Sequence, residues 1–413
     1  MLARVCYLSN GVTRVLRGMA FRAAACTGAL FHIEEYIVCA DLPDLAAGVY
    51  HYGAHDNGLR QLRQGDFRQV LVEATGGHAD VISAPVLIAL TSTWWRNAWK
   101  YEARAYRHAF WDSGTILANL LAVAAVQRLD ATVVVGFADS AVNALLDIDP
   151  THEAAIALVA LGSGATQPPP APPITPLGLS TRPLSRFEVA YPAIVEAHAA
   201  SSLPSGEAAS AWRAALPLPL REGQGEAAVI ENVEAVILRR GSSRRFSHAS
   251  ISLEALQAML EATTAGPTFS DALVQTDPYL IVNAVDGLPS GSYVFNRQSR
   301  ALELLQSSDF RRQAAYLDLG QALAGDAAID VYWLVDLNRL DDRGYRAAQL
   351  SAAIEGGKLY LAAYSMRLGA TGLTFFDDDV TRFFSPHAAG KSVMFLTAVG
   401  VPFRSLHDRP VRR

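Results

Sequence analysis

Tyr36-Ile37-Val38, then Gly48 and Tyr50, then Asp66-Phe67-Arg68, return in the same order as Tyr279-Leu280-Ile281, Gly291, Tyr293 and Asp309-Phe310-Arg311, always at an offset of 243. In both places an apolar run leads through a glycine-bearing turn to a second short run. That pattern predicts a strand, a turn and a second strand. A second correspondence runs at an offset of 239. It pairs Tyr106-Arg107 with Tyr345-Arg346, Leu129 with Leu368, Ala131-Thr132 with Ala370-Thr371 and Asp139 with Asp378, and Gly162 then answers Gly400. Two colinear blocks at nearly constant offsets mark a tandem duplication of one α+β unit. Two copies do not make a solenoid. They predict an intrachain pseudo-dimer, each half a small antiparallel sheet flanked by helices, with the usual two-fold interface inside one polypeptide.

Between the copies, Gln167 to Pro176 reads QPPPAPPITP, six prolines in ten residues. Proline fits neither a helix interior nor a central strand, so this is a linker. The reading is therefore a first unit at 1–165, a Pro-rich linker at 166–226 with a helix near Tyr191 to Ala200, and a second unit at 227–413. Each flank is long enough for its own core.

The 413 residues are 51% hydrophobic and 18% charged, which excludes a disordered chain. With 35 basic and 40 acidic side chains the net charge is −5. No global basic field exists for nucleic acid or a membrane surface, so neither is expected as a partner. Cys6, Cys26 and Cys39 form no CxxC pair. A disulfide scaffold is excluded, and a reducing, cytoplasmic location is expected. The most apolar stretch, Ile116 to Val126, is shorter than the ~18–20 residues that cross a bilayer. It reads as a helix buried in a core.

Chemistry concentrates in a few places. The second copy opens with Arg240-Gly241-Ser242-Ser243-Arg244-Arg245-Phe246. Two guanidinium groups and a hydroxyl within one short segment suit a phosphate monoester, through charge-assisted bidentate contacts. A solvated basic turn would use the same residues. Gly369-Ala370-Thr371-Gly372 follows a predicted helix from Glu355 to Leu368. Its glycines would let backbone N–H groups approach a flat ligand, or would merely cap the helix. Val399-Gly400-Val401-Pro402-Phe403-Arg404 offers a further cation near the end of the chain. Asp377-Asp378-Asp379 reads as a helix N-terminus rather than a metal site.

The Arg-x-Ser-x-Arg-x-Phe opening, the Leu-Gly-Ala-Thr-Gly block and the Val-Gly-x-Pro ending together resemble the FMN-dependent nitroreductase superfamily. The first copy is more similar to one branch, the SagB-type azoline dehydrogenases. Ala25-Cys26-Thr27-Gly28-Ala29-Leu30-Phe31-His32-Ile33-Glu34 resembles their Pro-Ser-Ala-Gly-Ala-Leu-Tyr-Pro-Ile-Glu motif. Gly48-Val49-Tyr50-His51-Tyr52 is similar to their Gly-x-Tyr-x-Tyr hairpin, and Trp99 to Arg107 to their Lys-Tyr-Gly-Glu-Arg-x-Tyr-Arg segment. The resemblance implies two tandem nitroreductase-like units and an FMN site. Arg240, Gly241, Ser242, Arg244, Gly369, Ala370, Thr371, Gly372 and Arg404 would supply its phosphate and ring contacts from one copy. Cys26, Thr27, Gly28, Ala29 and Leu30 would come from the other. Cys26 replaces the family's serine, and His32 its proline.

The two copies have lost opposite parts. The first begins too late for an Arg-x-Ser-x-Arg turn, has Asp130-Ala131-Thr132-Val133 in place of Gly369-Ala370-Thr371-Gly372, and has Thr166 in place of Arg404. The second lacks the Thr-Gly-Ala-Leu segment. One complete set of parts remains, so one FMN per chain is expected.

The branch resemblance implies oxidation of thiazoline or oxazoline rings in a peptide or a related small heterocycle. Lys100 and Tyr101 match its catalytic pair. A lysine serves as a base when burial or a nearby cation lowers its pKa, and Trp94, Trp95 and Trp99 could supply a low-dielectric wall. Expected partners are the peptide substrate and a cyclodehydratase or carrier protein of the same pathway. The protein would be a monomer, its dimer being internal, or a homo-oligomer. Two other readings remain: an NAD(P)H-dependent nitro or quinone reductase, which needs no substrate base, and a non-catalytic flavin-binding scaffold.

Overall fold

A hairpin of β1 (Val12–Leu16) and β2 (Met19–Arg22) precedes the first repeat. The run around Tyr36 becomes β3 (Ile33–Cys39), antiparallel to β4 (Gly48–Gly53), which pairs with β5 (Gly58–Gln64). On the other side of β3 lie β6 (Val86–Thr93), β7 (Ala131–Val134) and β8 (Glu153–Leu161), giving the order β5-β4-β3-β6-β8-β7. The second copy supplies β9 (Asp277–Val282), β10 (Gly291–Asn296), β11 (Ala301–Ser307), β12 (Ile329–Asp336), β13 (Gly369–Gly372) and β14 (Lys391–Gly400). Their order, β11-β10-β9-β12-β14-β13, repeats the first sheet strand for strand, and every pairing is antiparallel. Register repeats too. Tyr36 stands opposite His51 and Tyr279 opposite Val294, so the offset of 243 holds on both strands of the pair.

The structure is a computed structural model that describes residues 1–180, 182–216, 232–264, 270–272 and 274–403. It divides into two units. The first holds Met1–Val229, Gly266–Gln275 and Leu340–Ile354, and the second holds Ile230–Ala265, Thr276–Arg339 and Glu355–Arg413. The long helix Asp342–Ser365 thus gives its first turns to one unit and the rest to the other. Helices Pro192–Ala200 and Gly206–Ala215 fall in the sequence between the repeats, the first of them where the linker reading places a helix.

Burial explains the strand chemistry. In β3 six of seven residues are buried, as a central strand covered on both faces requires, and its second half, Tyr36-Ile37-Val38-Cys39, is accordingly an unbroken apolar run. Edge strand β5 (GLRQLRQ) is largely exposed, and its arginines and glutamines discourage pairing with a foreign strand. The first unit's core places Leu71, Val81, Phe137, Leu145 and Leu158 between its sheet and short helices. Helix Ala105–Val126 is buried on nearly all sides, including Ile116 to Leu120. The segment Trp94–Val126 is apolar and long enough to cross a membrane, but 78% of its most apolar window is buried inside the protein. It is a core helix, as its all-round hydrophobicity requires.

Within the first unit this helix meets the opening turns of Asp342–Ser365. A Cβ at Gly114 would stand 2.4 Å from the Cβ of Ala353, so glycine is needed for that approach. Two repeat-related dipeptides exchange contacts: Arg107 Nε donates to Tyr345 Oη at 2.7 Å, and Arg346 Nε to Tyr106 Oη at 3.2 Å. Reciprocal contacts of this kind are what duplicated segments make when they pair isologously. Below them, Asp139 accepts from Arg343 and from Arg346, each at 2.7 Å, and all three side chains are buried. Burial would raise the Asp139 carboxyl, but the two guanidinium groups hold it below the usual range. Arg346 also donates to His198 O and Ser201 Oγ, tying down helix Pro192–Ala200. Buried His198 is pushed down to about 3, by desolvation first and then by Arg346.

Candidate functional site

The first unit gathers two of the segments singled out in the sequence. Thr27–Ala29 forms a 3-10 turn after extended Cys26, with Gly28 at φ 63°. Ala29 and Phe31 also have positive φ, at 55° and 49°. Such backbone costs non-glycine residues on the order of 1 kcal/mol each and persists only where surroundings enforce it. A Cβ at Gly28 would lie 2.7 Å from Tyr101 Oη and 3.3 Å from Lys100 Nζ. Cys26, Thr27, Gly28, Ala29 and Leu30 therefore form the turn on which Lys100 and Tyr101 rest. The glycine is required twice, by its φ and by the closeness of the tyrosine.

Lys100 and Tyr101 end the helix Trp94–Tyr101, and Glu102 then turns at φ 53°. The Lys100 ammonium sits 5.1 Å from the Tyr101 ring centroid, a cation–π distance. The Tyr101 ring meets His108 edge to face at 4.7 Å. His108 is itself buried and donates through Nδ1 to Asn97 Oδ1 at 2.8 Å. Burial pushes its imidazole down to about 3, so it is neutral and orients Tyr101 as a flat apolar wall. The tryptophans do not wall in Lys100 as the sequence suggests. Lys100 is exposed, Trp99 is 53% exposed, and Trp94 turns inward to pack on Tyr106 and His198. The helix carries its aromatic residues on more than one face, which linear proximity does not reveal.

His32 is fully buried between two polar partners: Nε2 is 2.9 Å from Asp112 Oδ2 and Nδ1 is 2.8 Å from Ser92 Oγ. Asp112 was not singled out by the sequence, although an acid in an otherwise apolar helix is a signal. A small cavity lined by Asn10, Arg22, Cys26, Phe31 and Asp112 lies beside it.

The second unit gathers the other set. Arg240 is buried, its guanidinium 5.8 Å from the Tyr360 ring centroid. Ser242 is hydrogen-bonded to the Tyr360 hydroxyl, which also receives the Gly372 N–H. Desolvation raises the Tyr360 phenol, with Ser242, Arg240 and Gly372 acting against that rise. Gly369–Gly372 is edge strand β13, paired with β14, and the Ala370 carbonyl accepts from Ser243 N at 2.9 Å. Gly369 does not cap the preceding helix, since Arg367 takes the left-handed position at φ 64°. Gly369 instead makes room for Ser243, whose Oγ would stand 2.2 Å from an added Cβ. At exposed Gly372 an added Cβ would meet nothing closer than 3.5 Å, so packing does not demand glycine there. Gly241 stays half-buried between Arg240 and Ser242, and Thr371 is buried in β13. Arg244 is exposed, and Arg245 stacks on Phe403 at 4.5 Å. Arg404 lies outside the described residues. Tyr360, missed by the sequence reading, is the hub that joins the Arg-Gly-Ser turn to β13.

A phosphate-bearing planar group fits this donor set: a buried guanidinium and a serine hydroxyl beside an exposed glycine edge whose packing does not need the glycine. In the first copy the equivalent edge carries Asp130, whose carboxylate accepts from Ser163 Oγ at 2.5 Å. An acid there repels a phosphate. Among the described residues no cluster of three or more His, Cys, Asp or Glu could hold a metal ion.

Comparison with known proteins agrees with the repeated architecture. The nitroreductase family matches residues 46–163 and again 237–400. A protein of Anabaena variabilis assigned as a nitroreductase is 26% identical with a TM-score of 0.79, over 97% of this chain and 88% of that one. The microcin synthetase McbBCD complex of E. coli, bound to truncated pro-MccB17, is 21% identical over 40% of this chain and 63% of that chain, TM-score 0.36. A Desulfovibrio desulfuricans protein assigned as a nitroreductase, in complex with FMN, is 18% identical over 44% of this chain and 92% of that chain, TM-score 0.28. No curated protein matches the chain.

Proposed function

We propose that this chain, which belongs to the nitroreductase family and has that family's flavin oxidoreductase fold, dehydrogenates thiazoline or oxazoline rings of a peptide or related small heterocycle, using one FMN per chain. The observation that carries the reading is the strained Cys26–Leu30 turn resting on Lys100 and Tyr101. A reductase of quinones needs no base, whereas an azoline dehydrogenase needs one beside the ring carbon. When bound, FMN supplies the acceptor for two electrons and a hydrogen.

The residues of the chain do the rest. Arg240 and Ser242 would hold the phosphate, with Arg244 and Arg404 as further cations, and Gly369, Ala370, Thr371, Gly372 and Gly241 would shape the edge that faces the ring. Cys26, Thr27, Gly28, Ala29 and Leu30 would cover the ring from the first copy. One cofactor follows from the sequence, in which each copy retains only one of these two sets. Lys100 Nζ as the free amine, or Tyr101 Oη as the phenolate, would accept the proton from the azoline carbon. The neutral His108 keeps the tyrosine ring in place without adding charge. The substrate peptide would arrive from a cyclodehydratase or on a carrier protein that forms the ring beforehand.

The test is the absorbance spectrum of the purified protein, quantitation of released flavin, and turnover of a thiazoline peptide. About one FMN per chain, lost in Arg240→Ala, and thiazole formation abolished in Lys100→Ala support the reading. Two FMN per chain would refute the single site. Reduction by NADH with no turnover of any thiazoline peptide, unaffected by Lys100→Ala, would establish a nitro or quinone reductase instead. No flavin after incubation with excess FMN would leave a scaffold.

A further inference from the structure

The Cys26–Phe31 turn has three consecutive demands on it: left-handed backbone at Gly28, Ala29 and Phe31, and a side-chain-free face toward Tyr101. Only one of the three left-handed residues is glycine. Something must therefore enforce the shape, and one carboxylate stands where the enforcing contacts converge.

Asp112 projects from helix Ala105–Val126 and is buried. Its Oδ1 accepts from Thr27 N at 2.9 Å and from Thr27 Oγ1 at 2.8 Å. Its Oδ2 accepts from Cys26 Sγ at 3.0 Å and pairs with His32 Nε2 at 2.9 Å. Four donors around one carboxylate use its acceptor-only chemistry in full. They fix His32 with a proton on Nε2, and Ser92 Oγ at 2.8 Å from Nδ1 seats the ring from the other side. The Cys26 sulfur continues the chain, accepting from Phe31 N at 3.0 Å across the strained residues. Next door, Thr115 Oγ1 donates to Ala25 O at 2.7 Å, one turn along the same helix. Burial and the Asp112 carboxylate push the Cys26 thiol up, so it remains a protonated donor to that carboxylate.

We infer that Asp112, seated by His32 and Ser92, is the positioning residue that holds the Cys26–Leu30 turn in its strained form and thereby sets Gly28 against Tyr101. Asp112 touches neither Lys100 nor Tyr101 in the described contacts; it acts through the turn. The functional consequence rests on the dehydrogenase reading above, but the effect on the turn does not.

The experiment uses the full chain with Asp112→Asn, His32→Leu, His32→Gln and Thr27→Val. Gln can present an amide N–H where His32 Nε2 donates, so it is the conservative replacement. Two readouts need no flavin: hydrogen exchange of the 26–31 amides, and iodoacetamide labelling of Cys26 mapped by mass spectrometry. Asp112→Asn and His32→Leu are expected to speed both by about tenfold or more. His32→Gln is expected to stay within about threefold of wild type, and Thr27→Val to speed exchange without exposing Cys26. In flavin-loaded protein, Asp112→Asn should lower kcat about tenfold with KM little changed. Unchanged exchange and labelling in Asp112→Asn would overturn the inference. So would a loosened turn with full turnover, or an Asp112→Asn protein whose exchange rises equally throughout the first unit, the mark of a merely structural role. If no variant or wild type binds flavin, the dehydrogenase reading fails while exchange and labelling still decide the role of Asp112. Should Asp112→Asn not fold, the contrast between His32→Leu and His32→Gln decides in the same way.

Discussion

Replacing Gly28 by alanine tests whether the turn and the Lys-Tyr segment truly bear on each other. Two costs are expected. At φ 63° an alanine incurs the left-handed penalty of about 1–2 kcal/mol, offset by about 0.4–1 kcal/mol because the unfolded chain loses freedom. Its Cβ would also stand 2.7 Å from Tyr101 Oη and 3.1 Å from Cε2, well inside contact. The hydroxyl is the far end of a side chain and can yield, so this overlap costs about 1 kcal/mol rather than the several of a rigid clash. The sum is about 2 kcal/mol in the native background. In a Tyr101→Phe background the hydroxyl is gone and the cost should fall to about 1 kcal/mol. Urea unfolding of the four proteins closes a double-mutant cycle, and a coupling of about 1 kcal/mol is the expected value. Displacing Tyr101 by the same fraction of an ångström should lower thiazoline turnover by about 10- to 100-fold, far more than stability alone would. An equal stability cost in both backgrounds would show that only backbone strain matters and that the turn does not press on Tyr101.

Three further outcomes follow from the geometry. Asp139→Asn leaves Arg343 and Arg346 buried without their counter-charge and should cost about 3–5 kcal/mol, read as a melting transition about 10 °C lower in differential scanning calorimetry. His108 and His198 are held at about 3 when folded against 6.5 otherwise, so the unfolded chain binds the extra protons between those values. Stability is therefore full above about pH 6.5 and drains as pH falls toward 3, by on the order of 5 kcal/mol for each histidine; urea midpoints against pH should show a slope that shrinks in His108→Gln. Gly369→Ala pushes on Ser243 and should weaken flavin binding about tenfold in a fluorescence titration, with Ser243→Ala restoring much of it.

The duplication was legible because register and topology are written in local pattern. The Tyr36 and Tyr279 blocks share an offset that the paired strands preserve, since shifting a strand by one residue would turn its buried face outward. The helix start at Asp377 was readable for the same reason: three acids in the first turn lie against the positive end of the helix dipole, a purely local match. The glycines of the turn and of the edge strand could be found in the sequence, but not what they serve. Gly369 looked like a helix cap or a ligand contact, and instead makes room for Ser243, 126 residues earlier.

The linear order of residues thus determined the repeat, the strand pattern, the Pro-rich junction and which segments carry cations, hydroxyls and the Lys-Tyr pair, because each depends on neighbours in sequence. Tertiary structure alone decided that Asp112 would gather Cys26, Thr27 and His32, that Tyr360 would join two distant segments, and that Lys100 would face outward past its tryptophans. It also decided that Leu340–Ile354 would belong with the first unit, through Arg343 and Arg346 on Asp139. The physical reason is the same in each case. A buried polar group must find its partners wherever the fold brings them, and hydrogen-bond reach is about 3 Å in space with no bound on separation along the chain.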